Sequence, residues 1–405
     1  MKMNKIDLEK LDKSTWSTFR FDQIASSISE RVDPNKTDLK HYIGLEHLDS
    51  ENIHIARMGS PDDVSGQKLK CYPGDVIFGR RRAYQRKAAV CEVEGFCSAH
   101  SLVLRAHPEV IEPRLFPFFL HSNTFMHRAV DISVGSLSPT INWGTLKKQE
   151  FLLPPKDQQA QLIELLCAAD DVVQKEKRFL VANRLLRDTS REKLYTFGLD
   201  GLKNEESVSV RKGKSGLLRS DMAEIKFFDC VTIKSGQVDP TEEKYSKLFQ
   251  IGSERIEPNT GEIIELKTAL ELNITSGNYL FSSEDIIYSK IRPYFKKVAI
   301  PGFDGLCSAD IYPLSLKSEK VSKEYLFYYL LTEKFTRRLL RFQNRTGMPK
   351  VNRDELSAMY IPVPAKEEQA RIVKILKAID ESSRSIKKKI DSSKSLQKSL
   401  INQVF

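Results

Sequence analysis

Several features that would define other protein classes are missing from this sequence. No stretch of the 405 residues approaches the roughly 18 consecutive apolar residues of a membrane-spanning helix. Residues 1–10 are charged and lack the apolar segment of a signal peptide. The six cysteines form no CxxC pair and show no zinc-ligand spacing with histidine. These absences predict a cytoplasmic protein with reduced thiols, no metal site and no membrane partner.

Motifs of common enzymes are also absent. There is no GxGxxG at a strand–helix junction and no Asn/Asp-Pro-Pro-aromatic segment of the amino-methyltransferase type. Gly213-Lys214-Ser215 resembles the end of a phosphate-binding loop, but Val208 stands where that motif needs glycine. We therefore predict no catalytic residues in this chain and expect that it is not an enzyme by itself.

What the sequence does contain is a basic surplus and enough apolar residues for real cores. Lys and Arg number 64 against 54 Asp and Glu, and the sequence pI is about 9.1. A surplus of this size suggests a polyanionic partner, although many proteins without one carry a similar surplus. Hydrophobic residues make up 40% of the chain, which argues against wholesale disorder.

The chain contains an internal repeat. Residues 75–104 and 285–314 align without a gap at a constant offset of 210 residues, and the same offset still relates Asp170 to Asp380. The aligned identities within the block include Asp75/Asp285, Arg82/Arg292, Tyr84/Tyr294, Lys87/Lys297, Gly95/Gly305 and Cys97/Cys307. The Cys-Ser-Ala triplets at 97–99 and 307–309 are predicted to pack a core. The repeat predicts two copies of one module.

Each copy is predicted to have a globular α/β (α+β) part followed by a long helix. Short β-rich runs precede helical patterns at 114–130 and 323–342. The predicted organisation is a first globular domain over 1–155, a long helix over 156–197, a linker over 198–221, a second globular domain over 222–364 and a second long helix over 365–405. Connectivity then predicts that the two helices run antiparallel as a coiled coil, in a dumbbell with pseudo-twofold symmetry.

The pairing of the helices is predicted from their apolar stripes. The first stripe comprises Leu162, Leu166, Ala169, Val173 and Leu180, and the second comprises Ile372, Leu376, Ile379, Ile386, Ile390, Leu396, Leu400 and Val404. Apolar residues at steps of three, four and seven form one seam along a helix. Neither globular part is expected to offer an apolar surface as long as these helices, so each stripe is predicted to pack against the other helix.

Two segments of each copy are candidates for contacting nucleic acid. The first is basic and carries a tyrosine: Arg80, Arg81, Arg82, Tyr84, Arg86 and Lys87 in copy one, and Lys290, Arg292, Tyr294, Lys296 and Lys297 in copy two. Arginine and lysine neutralise phosphates, and arginine can also fork onto a guanine edge. A solvated turn between strands is the alternative, but its recurrence in both copies favours a function.

The second candidate is a loop at 135–142 and its counterpart at 345–352. The residues selected there are Ser136 and Asn142 in copy one, and Arg345, Lys350 and Asn352 in copy two. Small residues allow close approach of backbone to a ligand, and asparagine can pair with adenine in a bidentate way. A tight turn fixed by Pro139 and Pro349 explains the same residues equally well.

With these features the chain resembles the specificity subunits of Type I restriction–modification systems. The resemblance spans nearly the whole length and rests on the duplicated modules and on the junctions LLPPKDQQAQLIELL (152–166) and PVPAKEEQARIVKIL (362–376). These junctions are similar to the family's Pro-Pro-x-x-Glu-Gln helix entry. Gln158 replaces the usual acid in the first, and Ala365 replaces the second proline in the other.

The resemblance implies a function in DNA recognition. Each target-recognition domain would read one half of a bipartite site in double-stranded DNA, and the helices would fix the gap. The partners implied are two DNA adenine methyltransferase (modification) subunits and restriction/translocase subunits; S-adenosylmethionine, ATP and Mg²⁺ would be bound by those subunits and no cofactor by this chain. Two alternatives stay open: a recognition subunit of a methylation-only or self-contained methyltransferase–nuclease system, and a tandem coiled-coil adaptor that binds no DNA.

Overall fold

The computed structural model describes Leu8, residues 11–341 and residues 349–405. The chain divides into two units, one formed by residues 1–177 with 388–405 and the other by residues 178–387. Each unit thus contains one globular part, the first half of the helix that follows it and the second half of the other long helix. Within the described ranges, no helix has both the length and the apolar character needed to cross a membrane.

The first unit contains two four-stranded sheets and one separate strand pair. The strands are β1 (Ser17–Arg20), β2 (Ala25–Ile28), β3 (Arg31–Val32), β4 (Tyr42–Ile43), β5 (Lys68–Cys71), β6 (Val76–Gly79), β7 (Ala88–Val90), β8 (Gly95–Cys97), β9 (Ser101–Ala106) and β10 (Glu150–Leu153). One sheet has the order β2-β9-β6-β7, and the other has the order β3-β5-β8-β4. The pair β1–β10 joins the two ends of the globular part.

Helices cover the first sheet and carry the chain out of the domain. They are α1 (Phe21–Ile24), α2 (Phe116–His121), α3 (Asn123–Asp131), α4 (Trp143–Leu146) and the long α5 (Lys156–Phe197). Buried aromatic side chains fill the space between sheet and helices, and Phe125 contacts both Phe21 and Phe78 at centroid distances of 5.4 and 5.6 Å. Such a core holds the loops at the strand ends in place.

The second unit repeats this architecture. Its strands are β11 (Val210–Gly213), β12 (Gly216–Arg219), β13 (Ala223–Lys226), β14 (Val231–Ile233), β15 (Gln237–Val238), β16 (Phe249–Ile251), β17 (Lys267–Thr268), β18 (Asn278–Phe281), β19 (Ile286–Ser289), β20 (Val298–Ala299), β21 (Gly305–Ser308), β22 (Ile311–Leu316) and β23 (Tyr360–Val363). The orders β14-β22-β19-β20 and β15-β18-β21-β16-β17 match those of the first unit, with one added edge strand.

The helices of the second unit follow the same plan. They are α6 (Phe227–Cys230), α7 (Glu243–Ser246), α8 (Lys323–Leu330), α9 (Glu333–Leu340), α10 (Arg353–Ser357) and the long α11 (Lys366–Val404). Cys97 and Cys307 are inaccessible to solvent, as predicted for a core position, but the rest of each Cys-Ser-Ala triplet is not buried, and Ala99 is exposed. The predicted α+β class with two long helices that pack together is confirmed.

Three details differ from the sequence predictions. The helical patterns at 114–130 and 323–342 are each broken in two, because the buried hydroxyls of Ser122 and Thr332 accept hydrogen bonds from Phe125 N and Phe335 N and start a new helix. The segment 198–221, predicted as a linker, contains the β11–β12 hairpin, whose turn is built on Gly216 in the left-handed region.

The third difference is the end of the second apolar stripe. Leu396 is 59% exposed, whereas Ile401 is buried. The inward position near this point is held by Gln397, whose amide donates to Asp170 Oδ1 at 3.0 Å. A polar contact thus replaces one apolar position of the predicted seam, and a similar one exists in the second unit, where Asn183 donates to Ser383 Oγ at 2.7 Å.

A buried glutamine fastens the start of each long helix to its globular part. The Gln159 amide donates to the Val110 and Pro154 carbonyls at 2.8 and 2.9 Å, and its oxygen accepts from Glu112 N at 2.7 Å. Gln369, 210 residues later, forms the same three kinds of bond with Lys320, Pro364 and Ser322. This contact explains the glutamine in both helix-entry motifs, because it satisfies backbone groups that would otherwise be buried without partners.

The far end of each long helix completes the core of the other copy's unit. In the first unit Val404 and Phe405 join the aromatic core, and Asn402 Oδ1 accepts from Asn123 N at 2.7 Å. In the second unit Leu194 and Tyr195 lie in the core, and Glu192 accepts from Glu333 N. These positions correspond at the spacing of the repeat, so each globular part is held by both helices.

Candidate nucleic-acid interface

In the first unit, the two predicted segments meet through a backbone bridge. Arg81 and Thr140 form an isolated antiparallel β-bridge. Beside it, the Arg82 N–H donates to the Pro139 carbonyl at 2.8 Å. The basic segment after β6 and the loop before α4 therefore form one surface, although more than 50 residues separate them in the sequence.

The second unit builds the same bridge from different residues. Ile291 pairs with Lys350, and the Arg292 N–H donates to the Pro349 carbonyl at 2.8 Å. Each of these positions lies 210 residues after its counterpart. Two copies that differ in sequence but keep the same bridge indicate that the fold maintains this arrangement of segments. Both prolines therefore lie at the bridge, where their carbonyls accept these hydrogen bonds.

The basic segment itself turns through two residues with left-handed backbone. Arg82 and Arg86 have φ of 54° and 52°, and their counterparts Arg292 and Lys296 have φ of 47° and 49°. Residues other than glycine and asparagine rarely adopt this backbone conformation. Two such residues at the same places in both copies therefore indicate a constrained turn. A short 3₁₀ helix lies between the two residues in each copy, and it contains Tyr84 in copy one and Tyr294 in copy two. The two tyrosines are 57% and 47% exposed to solvent.

Part of the predicted set faces solvent. Arg81, Arg82 and Tyr84 are exposed in copy one, as are Arg292 and Tyr294 in copy two. Among the described residues, no carboxylate forms an ion pair with Arg81, Arg82 or Arg292. These side chains combine charge with aromatic surface at one edge of each domain, and this is the chemistry that contacts phosphates and bases.

Another part of the set holds the turn in place, which differs from the DNA contact expected from the sequence. In copy one, Arg86 donates to Asn123 Oδ1 at 2.9 Å and to the His121 carbonyl at 2.7 Å, and Lys87 donates to the Leu45 carbonyl at 2.7 Å. Both side chains are partly buried. Their hydrogen bonds are made to partners within their own domain.

The counterparts in copy two are held in the same way. Lys296 forms an ion pair with Glu333 at 2.7 Å, and Lys297 donates to the Ser253 carbonyl at 2.6 Å. Burial lowers the pKa of Lys297. The sequence could not separate these lysines from the exposed arginines, because all of them lie within one short segment and differ only in the direction of their side chains.

The two candidate asparagines have different environments. Asn352 starts α10 as a capping box, in which its side chain accepts from Glu355 N at 2.8 Å and its N–H donates to Glu355 Oε2 at 2.9 Å. Asn142 starts α4 but makes no cap hydrogen bond through its side chain, and it is exposed. The base-reading geometry proposed for asparagine is therefore open to Asn142, whereas Asn352 supports its helix.

The remaining predicted residues lie at the tips of the loops. Ser136 is exposed next to Leu137, and Lys350 forms an ion pair with Asp310 at 3.2 Å. Arg345 lies outside the described residues.

Cations close to one another shift the pKa values of neighbouring groups at both surfaces. Burial, and after it the positive charges of Arg81 and Arg80, lower the pKa of His100. Burial, followed by the charge of Lys350, lowers the pKa of Lys290. Burial is the larger cause in both cases, and the smaller like-charge contribution shows that cations lie close together at each surface. A polyanion would relieve this repulsion.

A groove beside the first bridge contains residues that the sequence did not single out. It has a volume of 530 Å³ and is lined in part by Arg31, Lys68, Arg80, Ser101 and Trp143. Ser101 lies in a strand and Trp143 in a helix, so neither shows a recognisable motif. The second copy has Ile311 and Arg353 at the equivalent positions, but many other aligned positions also differ, so the sequence gives no signal for these two residues.

Comparisons with known proteins agree with these observations. Residues 220–393 match the family described as "Type I restriction modification DNA specificity domain". The chain is 28% identical over 315 residues to the type I restriction enzyme EcoDI specificity subunit of Escherichia coli, covering 74% of this chain and 69% of that relative. It is 26% identical over 275 residues to the MjaVIII specificity subunit of Methanocaldococcus jannaschii, covering 64% and 63%.

Solved structures show the same fold. A chain from the structure "Structural basis underlying complex assembly and conformational transition of the type I R-M system" aligns with a TM-score of 0.56 at 17% identity and covers 96% of this chain and 97% of that one. The type I restriction–modification S subunit from M. genitalium aligns with a TM-score of 0.52 at 14% identity, and the alignment covers 98% of both chains.

Proposed function

We propose that this chain is a type I restriction–modification specificity subunit, as its matches to that family indicate, and that its two globular domains, residues 1–155 and 222–364, each read one half of a bipartite target in double-stranded DNA. The single observation that carries the proposal is the recurring bridge. Arg81–Thr140 and Ile291–Lys350 place an exposed basic and aromatic segment at the same edge of both domains. One domain for each half-site follows from having two such surfaces.

In this proposal the contacts divide into two groups. Exposed Arg81, Arg82 and Arg292 neutralise phosphates, and Tyr84 and Tyr294 pack against sugar or base. Asn142 and Ser136 approach base edges from the neighbouring loop, and Arg345 remains a candidate from the aligned sequence of copy two. Phosphate contacts fix the position of the domain on DNA, whereas base-edge contacts carry the sequence information.

We further propose that the long helices dock the modification subunits and set the gap between half-sites. Within the second unit, α5 exposes Phe179, Val181, Leu185 and Leu186, which are 61%, 66%, 68% and 55% accessible. We call these four residues the α5 apolar face. Large apolar side chains at this density are unusual on a helix exposed to water and are typical of protein interfaces.

The chemistry of modification and cleavage then belongs to the partners. The proposed partners are two DNA adenine methyltransferase subunits, which would bind S-adenosylmethionine, and restriction subunits, which would use ATP and Mg²⁺. This chain would act as a recognition subunit without catalytic residues. Its contribution is to hold the two domains on their half-sites and to bind the modification subunits through its helices.

Methylome sequencing of cells with and without the gene tests this function. We expect one bipartite motif, with a fixed gap and a methylated adenine in each half, that disappears on deletion. Titration of random duplex at several salt concentrations provides an independent readout, because phosphate contacts give a steep salt dependence. A chain that leaves the methylome unchanged and binds duplex without salt dependence would be an adaptor.

The α5 apolar face has a matched pair of variants. Leu185→Glu should abolish co-purification of the modification subunit, because a carboxylate would be buried at the interface without a partner. Gln161→Glu adds the same charge at an exposed position of α5 several turns away from this face and should leave co-purification unchanged. Binding of both variants to random duplex shows whether the fold is intact. Equal retention of the partner would contradict this docking surface.

A further inference from the structure

The bridge is shared by the two copies, but the side chains around it are not. Several side chains near the bridge differ in chemical character while their positions in the repeat correspond: Ser101/Ile311, Leu102/Tyr312 and Trp143/Arg353. Two domains that recognise different half-sites need the same backbone arrangement at the interface but different side chains on it. In copy one, Ser101, Leu102 and Trp143 line a groove together with Arg80, and we call it the copy-one groove.

The copy-one groove contains polar atoms without partners. Ser101 is only 1% exposed, and its hydroxyl has no hydrogen-bond partner among the described residues. The same holds for Nε of Arg80, which lines the same groove. Buried donors are almost always paired in folded proteins, because leaving them unpaired is unfavourable. Both residues line an open groove of 530 Å³, so a side-chain adjustment would bring these donors to a ligand bound in it.

The donors and the wall of the groove suit one class of ligand. A guanidinium presents donors in a fork, a hydroxyl adds another, and the partly buried Trp143 supplies a flat apolar side. Arg31 and Lys68 add positive charge around the groove. In the DNA major groove, two neighbouring acceptors without a donor are the mark of guanine, through O6 and N7. We propose that the copy-one groove reads a guanine of the first half-site, with Arg80 donating to O6 and N7 and Ser101 supporting the contact.

Copy two cannot make the same contact. The ammonium of Lys290 lies 5.1 Å from the ring centroid of Tyr312, and the Tyr312 hydroxyl donates to the Val351 carbonyl at 3.3 Å. Ile311 has no hydroxyl where copy one has Ser101. The ammonium group of Lys290 is a point charge and lacks the two parallel N–H donors of a guanidinium group. The two half-sites therefore differ at this position, and the complete target is not a palindrome.

This inference rests on the proposed function, and the test separates the two. The full complex with its modification subunits is expressed with the wild-type chain, Arg80→Lys, Ser101→Ala or, as the matched control in the other copy, Lys290→Arg. Methylome sequencing gives the motif of each. Equilibrium binding then compares duplexes in which each guanine of the affected half-site is replaced in turn by 7-deazaguanine, which lacks the N7 acceptor.

We expect Arg80→Lys to lose discrimination at one guanine of one half-site by on the order of 10- to 100-fold, with the gap and the other half-site unchanged. Ser101→Ala should relax the same position by a smaller factor, and Lys290→Arg should leave it unchanged. At that guanine, 7-deazaguanine should weaken binding of the wild-type complex but not of the Arg80→Lys complex.

The inference is overturned if Arg80→Lys and Ser101→Ala leave the motif unchanged, if the affected half-site contains no guanine, or if 7-deazaguanine weakens both complexes equally. A wild-type complex that methylates no bipartite motif would instead overturn the proposed function and this assignment with it.

Discussion

Arg81 and Thr140 form a β-bridge that fixes the basic segment against the loop before α4, and the side chain of Arg81 remains exposed. The backbone of this residue is thus held by the fold while its charge is left free. Arg86, five residues later, has the opposite arrangement, because its side chain is bonded within the domain. These two arginines give a direct way to separate binding from stability.

Removing exposed cations should reduce the salt dependence of DNA binding. For Arg81→Ala combined with Arg82→Ala, the slope of log K against log salt should fall by up to about 0.9 for each phosphate that the variant no longer neutralises. The measurement is fluorescence anisotropy of the full chain with random duplex over a range of salt concentrations. Thermal unfolding should be nearly unchanged, because these side chains make no ion pair with any described residue. An unchanged slope would show that this segment is only a solvated turn.

Arg86→Ala should instead destabilise the first domain. The change removes hydrogen bonds to Asn123 and to the His121 carbonyl and leaves those acceptors less satisfied. We expect the free energy of unfolding to fall by about 1–3 kcal/mol. Chemical denaturation of the full chain measures it, with Arg81→Ala as the control, for which a surface substitution predicts a change within about 0.5 kcal/mol. Equal effects of the two variants would contradict the assignment of Arg86 to the turn.

Gln159→Met should loosen the joint between the first domain and α5. Methionine has a similar volume but leaves Glu112 N and the Val110 and Pro154 carbonyls without their partner. Because these groups are buried, we expect a loss of about 2–4 kcal/mol in the free energy of unfolding. Hydrogen exchange provides the local readout, with faster exchange at the start of α5 and not at the start of α11. The same substitution at Gln369 should give the reverse pattern.

The contact between His54 and Asp170 should make the first unit more stable at slightly acidic pH. His54 Nε2 lies 2.6 Å from Asp170 Oδ2, and this hydrogen bond raises the pKa of His54 above its ordinary 6.5 in spite of partial burial. Burial raises the pKa of Asp170, but the bonds from His54 and Gln397 outweigh it and leave that pKa below its usual value.

The sign of the pH dependence follows from these directions. Since the folded pKa of His54 is raised, its stabilisation is fully present below about pH 6.5 and is lost as the pH rises through the folded value. The wild-type chain should therefore exceed His54→Gln in melting temperature by more at about pH 6 than at about pH 8.5. A difference that is constant over this range would exclude an ionic contribution from the pair.

The fragment 1–210 should form a symmetric dimer. It lacks Val404 and Phe405, which complete the core of the first unit, but carries Leu194 and Tyr195, which fill the equivalent place in the second. A second copy can supply these residues and an antiparallel helix, as expected for a twofold interface. Light scattering should give twice the monomer mass. With the modification subunit added, the dimer should methylate a palindromic bipartite site, and a clean monomer at tens of micromolar would contradict this exchange.

The sequence alone determined the duplication, the α+β class and the starts of the long helices. Those features depend on local patterns and on matching residues 210 positions apart, which need no knowledge of contacts. It also selected the two segments that the structure brings together in each unit, because charge and tyrosine recur there in both copies.

Only the tertiary structure decided what each residue of that neighbourhood does. Arg81 and Arg86 are the same residue type in one short segment, so the sequence cannot assign them different roles. In the structure the Arg81 side chain is exposed, whereas the Arg86 side chain donates to Asn123 on α3. Ser101 and Trp143 have no motif at all, and they become candidates only because separate strands and helices bring them beside Arg80. The direction of a side chain and the pairing of distant segments depend on packing of the whole domain, and no local pattern encodes them.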